Sequence, residues 1–176
     1  MMSGNRVPKI IGIIVAVLLQ VLLAPLIQIG AAVPNFVLSY VIALAFAGRG
    51  ETNYLIAFFG GLAYDLLGIG PVGSMALVCV FAMFACSSIL RIVHSDSILV
   101  QFVLIAIACL VCEAFYGILM MACGIDVSLL DALVLRMIPC ALYDMVIAIL
   151  AFIVTSGIAS RGPDAGGVNI IDNRMD

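Results

Sequence analysis

The charged residues of this chain come in small groups separated by long apolar runs, and nearly all the basic ones fall on alternate separators. Apolar residues make up 66% of the sequence and charged residues 10%, which leaves too little polar surface for a soluble domain to turn toward water. An integral membrane protein is the class that fits. A chain of 176 residues can then hold several spans and almost no extramembrane domain.

A span needs about 20 apolar residues to cross about 30 Å of hydrocarbon, and its backbone groups must be satisfied within its own helix. Apolar runs cover about 10–29, 31–47, 54–67, 74–90, 98–123 and 132–160. They predict an all-α polytopic membrane protein, a bundle of about six transmembrane helices forming a single domain over residues 1–160. The second and third runs are short, so a re-entrant pair in place of two spans is the alternative. Short loops rich in Lys and Arg stay cytoplasmic. With the N-terminus inside, Arg6, Lys9, Arg49, Arg91, Arg161 and Arg174 all fall on cytoplasmic segments, and Arg136 alone lies on the outer half. The outer connections, Gly30 to Asn35, Gly68 to Gly73 and Gly124 to Asp131, carry no Lys or Arg, and the last holds Asp126 and Asp131. An odd number of crossings would place the Arg161 and Arg174 end outside, so the even count is preferred. The Gly-, Asp- and Asn-rich tail 161–176 reads as a disordered cytoplasmic end. The opening MMSGNRVPK resembles the start of a signal peptide. The apolar run behind it exceeds the ~7 to 15 residues of a signal h-region, so it is read as an uncleaved first span.

Several chemistries are excluded by what accompanies the reactive residues. Cys79, Cys86, Cys109, Cys112, Cys123 and Cys140 all lie within or at the ends of apolar runs, where small apolar packing is favoured over disulfides or a zinc site. Cys109 and Cys112 have Cys-x-x-Cys spacing, but neither a second pair nor a thioredoxin-like strand pattern accompanies them. The one histidine, His94, sits beside Asp96 at a cytoplasmic boundary and leaves none for a Ser-His-Asp relay or a two-histidine metal site. Phosphate-binding and dinucleotide-binding glycine loops are absent from the sequence. No catalytic residue, cofactor or metal is expected.

What remains is the set of ionisable residues inside the spans, which cost several kcal/mol each when facing lipid and so should point inward. These are Asp65, Glu113 and Asp144, with Arg136 nearer the outer surface. At about 1.5 Å rise per residue, Asp65 lies roughly 18 Å from Asn53, Glu113 roughly 15 Å from Cys123, and Asp144 roughly 18 Å from Ala132. A shared depth on three helices predicts one buried polar cluster, with Tyr64, Tyr116 and Tyr143 close enough to add hydroxyls. Two readings follow. The carboxyls, some of them neutral because burial disfavours charge, pin helices together by hydrogen bonds, the favoured use, with Arg136 on the Asp144 face. Alternatively the cluster holds a proton, cation or substrate.

Ala57, Gly61 and Asp65 follow at four-residue spacing, which allows close approach of a second helix. Pro25 and Pro139 fall within spans and predict kinks, while Pro34 and Pro71 mark turns.

The stretch Gly61-Leu-Ala-Tyr-Asp65-Leu66-Leu67, followed by Pro71-Val72-Gly73-Ser74-Met75-Ala76-Leu77, goes beyond composition. It resembles the bacterial rod shape-determining protein MreD family, with its Gly-x-x-x-Asp-Leu stretch, short turn, and Pro-Leu-Gly-x-x-Ala-Leu entry into the next helix. The Pro34-Asn35 turn, the Tyr40 span and the Arg49-Gly50-Glu51 turn also look like the family. Two departures stand out. Gly68-Ile69 replaces the usual Ser-Gly pair, and Val72 stands where Leu is common.

The resemblance marks Gly61, Asp65, Leu66, Pro71, Gly73 and Ala76 as residues of helix packing or partner binding. It implies a non-catalytic scaffold of the cell-elongation complex that supports side-wall peptidoglycan synthesis and cell shape. The implied setting is the plasma membrane lipid of a rod-shaped bacterium. The implied partners are MreC, RodA with its transpeptidase and, indirectly, MreB, with no nucleic acid. The family fold is similar to the substrate-binding subunits of energy-coupling-factor transporters. That similarity sets the alternative of a small-molecule-binding subunit whose pocket would hold Asp65, Glu113, Tyr116 and Asp144.

Overall fold

The computed structural model describes residues 6–30, 32–48, 51–68, 70–93, 97–124 and 138–159. The expectations for Arg49, His94, Asp96, Asp126, Asp131, Arg136 and the tail 161–176 lie outside the described residues. Within them the chain is all-helical, with six helices and no strand: α1 Arg6–Leu22, α2 Phe36–Ala47, α3 Glu51–Leu67, α4 Ser74–Ile92, α5 Ile98–Ala122 and α6 Ile138–Ala159. Three of these, α4, α5 and α6, are long and apolar enough to cross a membrane.

Local chemistry sets where the helices stop. Pro25 ends α1 three residues after Leu22 instead of bending a longer helix, because it has no N–H to give and disfavours a helical residue before it. The chain then turns through Leu23–Ile27, with Leu26 N–H bonded to Leu23 C=O at 2.9 Å. A short bridge between Ile29 and Ala32 follows. Asn35 starts α2: its side-chain oxygen accepts the Leu38 N–H at 3.0 Å, as a helix N-cap does. Pro139 is the second described residue of α6, and the residues before Ile138 lie outside the described residues.

The second helix is the hub of the bundle. It has 12 residues, a length of about 18 Å at the usual rise, and every residue from Phe36 to Ala45 is buried. A helix that is apolar all round belongs in the interior. All five other helices pack on it. Neighbours in sequence run in opposite directions. Lys9 meets Asn53, which makes α1 parallel to α3. Asn35 meets Asp144 and Phe46 meets Phe152, which makes α2 parallel to α6.

Burial is inverted relative to a soluble protein. Outward faces carry Val7, Ile11, Ile14 and Leu18 on α1, Leu99, Val103 and Leu110 on α5, and Leu142, Val146 and Ile153 on α6, all exposed. Asn35, Ser39, Asn53, Asp65, Glu113 and Asp144 are inside. Contiguous apolar surface on this scale is untenable in water and natural against lipid. The chain is a membrane protein.

Candidate functional site

The deepest polar chemistry in the bundle is built at two helix N-termini. Four N–H groups at the start of any helix lack an intrahelical acceptor, and in a bundle core water does not supply one. The first residues of α4 have no side-chain cap of their own. Asp65, near the end of α3, provides it from across the hairpin. Its Oδ2 accepts from Gly73 N–H at 2.9 Å and from Ala76 N–H at 3.2 Å. Met75 N–H sits 3.1 Å from both oxygens. Asp65 is only 2% exposed, so its charge is matched by three N–H groups and the positive end of α4.

The flanking motif residues make this reach possible. A Cβ at Gly61 would stand 2.6 Å from Ala76 Cα and 2.7 Å from Met75 C=O, so α3 and α4 touch backbone to backbone one turn below Asp65. Gly73 takes φ +99, a left-handed conformation that glycine adopts without steric cost. Pro71 precedes it in a turn closed by Ser74 N–H on Pro71 C=O at 3.3 Å. Gly61, Asp65, Gly73 and Ala76 thus form one joint. Leu66 does not take part: it is 66% exposed, facing outward.

The second N-terminus is that of α2, and Asp144 on α6 serves it. Asp144 Oδ1 accepts the Asn35 N–H at 2.6 Å, and the Ser39 hydroxyl donates to the Asp144 backbone carbonyl at 3.1 Å. From α1, Gln20 accepts the Phe36 N–H at 2.8 Å and donates to Pro34 C=O at 3.1 Å. Glu113 on α5 faces Asp144. Asn35 Nδ2 also points at Met75 Sδ, 3.6 Å away, and this contact links the two carboxylate joints. Glu113 and Asp144 thus face each other, and Met75 and Asn35 lie between Asp65 and Asp144. Tyr143 donates to Ile27 C=O at 3.2 Å, and the Tyr116 hydroxyl lies 3.1 Å from where a Gly70 Cβ would be. Arg136 lies outside the described residues.

A third polar group marks the opposite end of the bundle. Lys9 Nζ donates to Asn53 Oδ1 at 3.0 Å, Asn53 Nδ2 to Gly48 C=O at 2.7 Å, and Tyr40 hydroxyl to Lys9 C=O at 3.0 Å. Gln20, Ser39 and Asn53 carried no role in the sequence reading. Their signal was present: an amide or hydroxyl within or beside an apolar run has to face protein, because lipid offers it no partner.

Comparison with protein families decides the class. The family model for rod shape-determining protein MreD matches residues 5–157. The chain belongs to the MreD family. MreD membership implies a role in rod shape determination, in a family of shape-determining membrane proteins that is not known for enzymes. No curated protein and no solved structure matched the chain. The match takes in both capping joints, since Gln20, Asn35, Asp65, Glu113 and Asp144 all lie inside it.

Proposed function

We propose that this chain is a non-catalytic scaffold of the cell-elongation complex, supporting side-wall peptidoglycan synthesis by holding partners together in the plasma membrane. Its partners would be MreC and RodA with its transpeptidase, with MreB engaged indirectly. The reading includes six crossings with both termini cytoplasmic. The alternating direction of the six helices supports an even count, and the buried residues Ala24, Ala32 and Pro34 ahead of α2 extend that short helix through protein-lined depth. Irregular backbone is tolerated at membrane depth when protein surrounds it.

The observation that carries the scaffold reading is the use to which the carboxylates are put. Asp65 and Asp144 accept backbone N–H groups that begin α4 and α2, which is how a joint is made. A small-molecule-binding subunit would instead open a pocket onto them. Among the described residues a cavity of about 220 Å³ lies between α1, α2 and α3, and its lining, which includes Val17, Gln20, Val37, Tyr64 and Leu67, holds no carboxylate.

The test is affinity purification of the tagged protein in nanodiscs from its own cells, with mass spectrometry of what accompanies it. MreC, RodA and the transpeptidase are expected. An ATPase pair with a membrane coupling protein would overturn the scaffold reading in favour of a transporter subunit. Reporter fusions at both termini test the orientation, and activity of a periplasmic reporter at either end would refute it.

A further inference from the structure

Helices α1 and α3 run parallel and meet closely toward one end. There Lys9 Nζ reaches Asn53 Oδ1 at 3.0 Å, and a Cβ at Gly60 would stand 2.5 Å from Ile13 Cδ1. One turn further along, the same two helices leave a crevice of about 220 Å³ between them. Val17 and Val21 of α1 line it with Tyr64 and Leu67 of α3, and Val37 of the hub helix lies behind them.

The chemistry, depth and width of the crevice say what fills it. Its walls are mainly apolar, and Gln20, which also lines it, already spends its amide on Phe36 N–H and Pro34 C=O. Apolar cavities of this size stay dry, and an empty one forgoes the contacts of its lining atoms. The mouth is continuous with the lipid-facing surface, since Val21 is 47% and Leu67 61% exposed beside exposed Leu18, Leu22 and Leu66. It also lies below the membrane surface. The 17 residues of α1 span about 26 Å, short of about 30 Å of hydrocarbon, and exposed Leu26 and Ile29 carry the apolar surface past its end. The crevice exceeds the roughly 150 Å³ that admits benzene but is too narrow for a helix of about 10–12 Å diameter. Branched Val21 and Leu67 at its mouth are the opposite of the small residues that let a second helix approach. A single flexible hydrocarbon chain fits.

We propose that the crevice between α1 and α3 is a lipid site that takes one acyl chain of a membrane phospholipid, from the leaflet away from Lys9. That leaflet is the outer one in the orientation proposed above, and a reversed orientation would change the leaflet without altering the crevice. The bound chain completes the α1–α3 interface through contact with preformed walls.

Delipidated protein in detergent is titrated with dioleoyl phosphatidylethanolamine while its melting midpoint is followed, and native mass spectrometry counts the lipids retained. Wild type should retain one phospholipid, and its midpoint should rise with lipid concentration, as mass action requires. Val17→Phe, which fills the crevice, should retain none, melt above lipid-free wild type and stay level through the titration. Val103→Phe, on the exposed face of α5, should behave as wild type. Val21→Phe blocks the mouth and serves in place of Val17→Phe if that variant fails to fold. A wild type that retains no lipid, a folded crevice variant that retains as much as wild type, or an equal loss in Val103→Phe would each overturn the proposal. A single-span protein that co-purifies with lipid-free wild type and is lost from Val17→Phe would overturn it in favour of a partner's helix. The lipid titration uses no partner protein, so its outcome is separate from that of the scaffold reading.

Discussion

Replacing Asp65 by alanine removes the acceptor for three backbone N–H groups, those of Gly73, Met75 and Ala76. An unsatisfied buried donor costs about 1–3 kcal/mol. The first turn of α4 can shift somewhat toward the half-buried Gly73, so the expected loss is about 3–5 kcal/mol, near the low end of three full penalties. Asp65→Asn keeps one acceptor oxygen but turns an NH₂ toward N–H groups, and should lose about 2 kcal/mol, the scale of a damaged cap. The cysteines supply the assay. Cys79, Cys86, Cys109, Cys112 and Cys140 are buried and Cys123 is exposed, so a dye that fluoresces on reaction with thiols reports unfolding in a Cys123→Ser background. The melting midpoint should fall in the order wild type, Asp65→Asn, Asp65→Ala. A midpoint for Asp65→Ala equal to that of wild type would refute the capping argument. So would a larger loss for Asn than for Ala.

Gly61→Ala should destabilise the hairpin by about 1–3 kcal/mol, the usual cost of overpacking, because its Cβ meets the Ala76 backbone, which cannot rotate away; an unchanged midpoint would mean that α3 and α4 are further apart. A Cβ at Gly12 would collide with the Tyr40 hydroxyl and ring. Gly12→Ala should therefore destabilise the wild type and be tolerated in Tyr40→Ala, and a double-mutant cycle with no coupling would refute the contact. Asn35→Ala should cost about 1 kcal/mol for the lost bond to Leu38 N–H, while the Asn35 N–H bond to Asp144 survives, and a midpoint shift as large as that of Asp65→Ala would contradict this.

Much of this architecture is written in the spacing of polar residues, because a membrane interior leaves them few places to go. The helical rise alone puts Asp65, Glu113 and Asp144 at similar depth. The structure then distinguishes among them by contacts the rise does not encode: Glu113 and Asp144 face each other, and Asp65 turns to α4. The apolar run begins at 31, whereas its helix starts at Phe36, where the expected Gly30 to Asn35 connection and the Pro34-Asn35 turn end. That start depends on Asn35 capping Leu38, on Gln20 from α1 holding Phe36 and on Asp144 from α6 holding Asn35. These partners are distant in sequence, and hydropathy says nothing of them. Pro25 misleads for a related reason. A proline inside an apolar run can kink or end a helix, and the outcome depends on whether the following residues find other backbone partners, as Ile29 and Ala32 do in each other.

The two carboxylate joints solve one physical problem twice. A helix N-terminus in a bundle core has unmet N–H groups and a positive dipole end, and a buried carboxylate has an unmet charge; each is costly alone, and together they cancel. The family stretch from Gly61 to Ala76 is then a folding device, in which Gly61 sets the distance, Asp65 reaches one turn further, and Gly73 bends the chain toward it. On the proposed scaffold reading, partner contacts would fall to residues such as Leu66 that face outward. If so, substitutions at Gly61 and Asp65 should lower partner recovery only as far as they lower the amount of folded protein. Leu66→Ala should leave the melting midpoint unchanged, so any loss of partner it causes is a loss of contact. The discriminating plot is partner recovered per folded molecule against melting midpoint for the three variants. An Asp65 variant that melts like wild type yet recovers no partner would show that the carboxylate itself is read by the partner, and the division between joint and docking surface would fall.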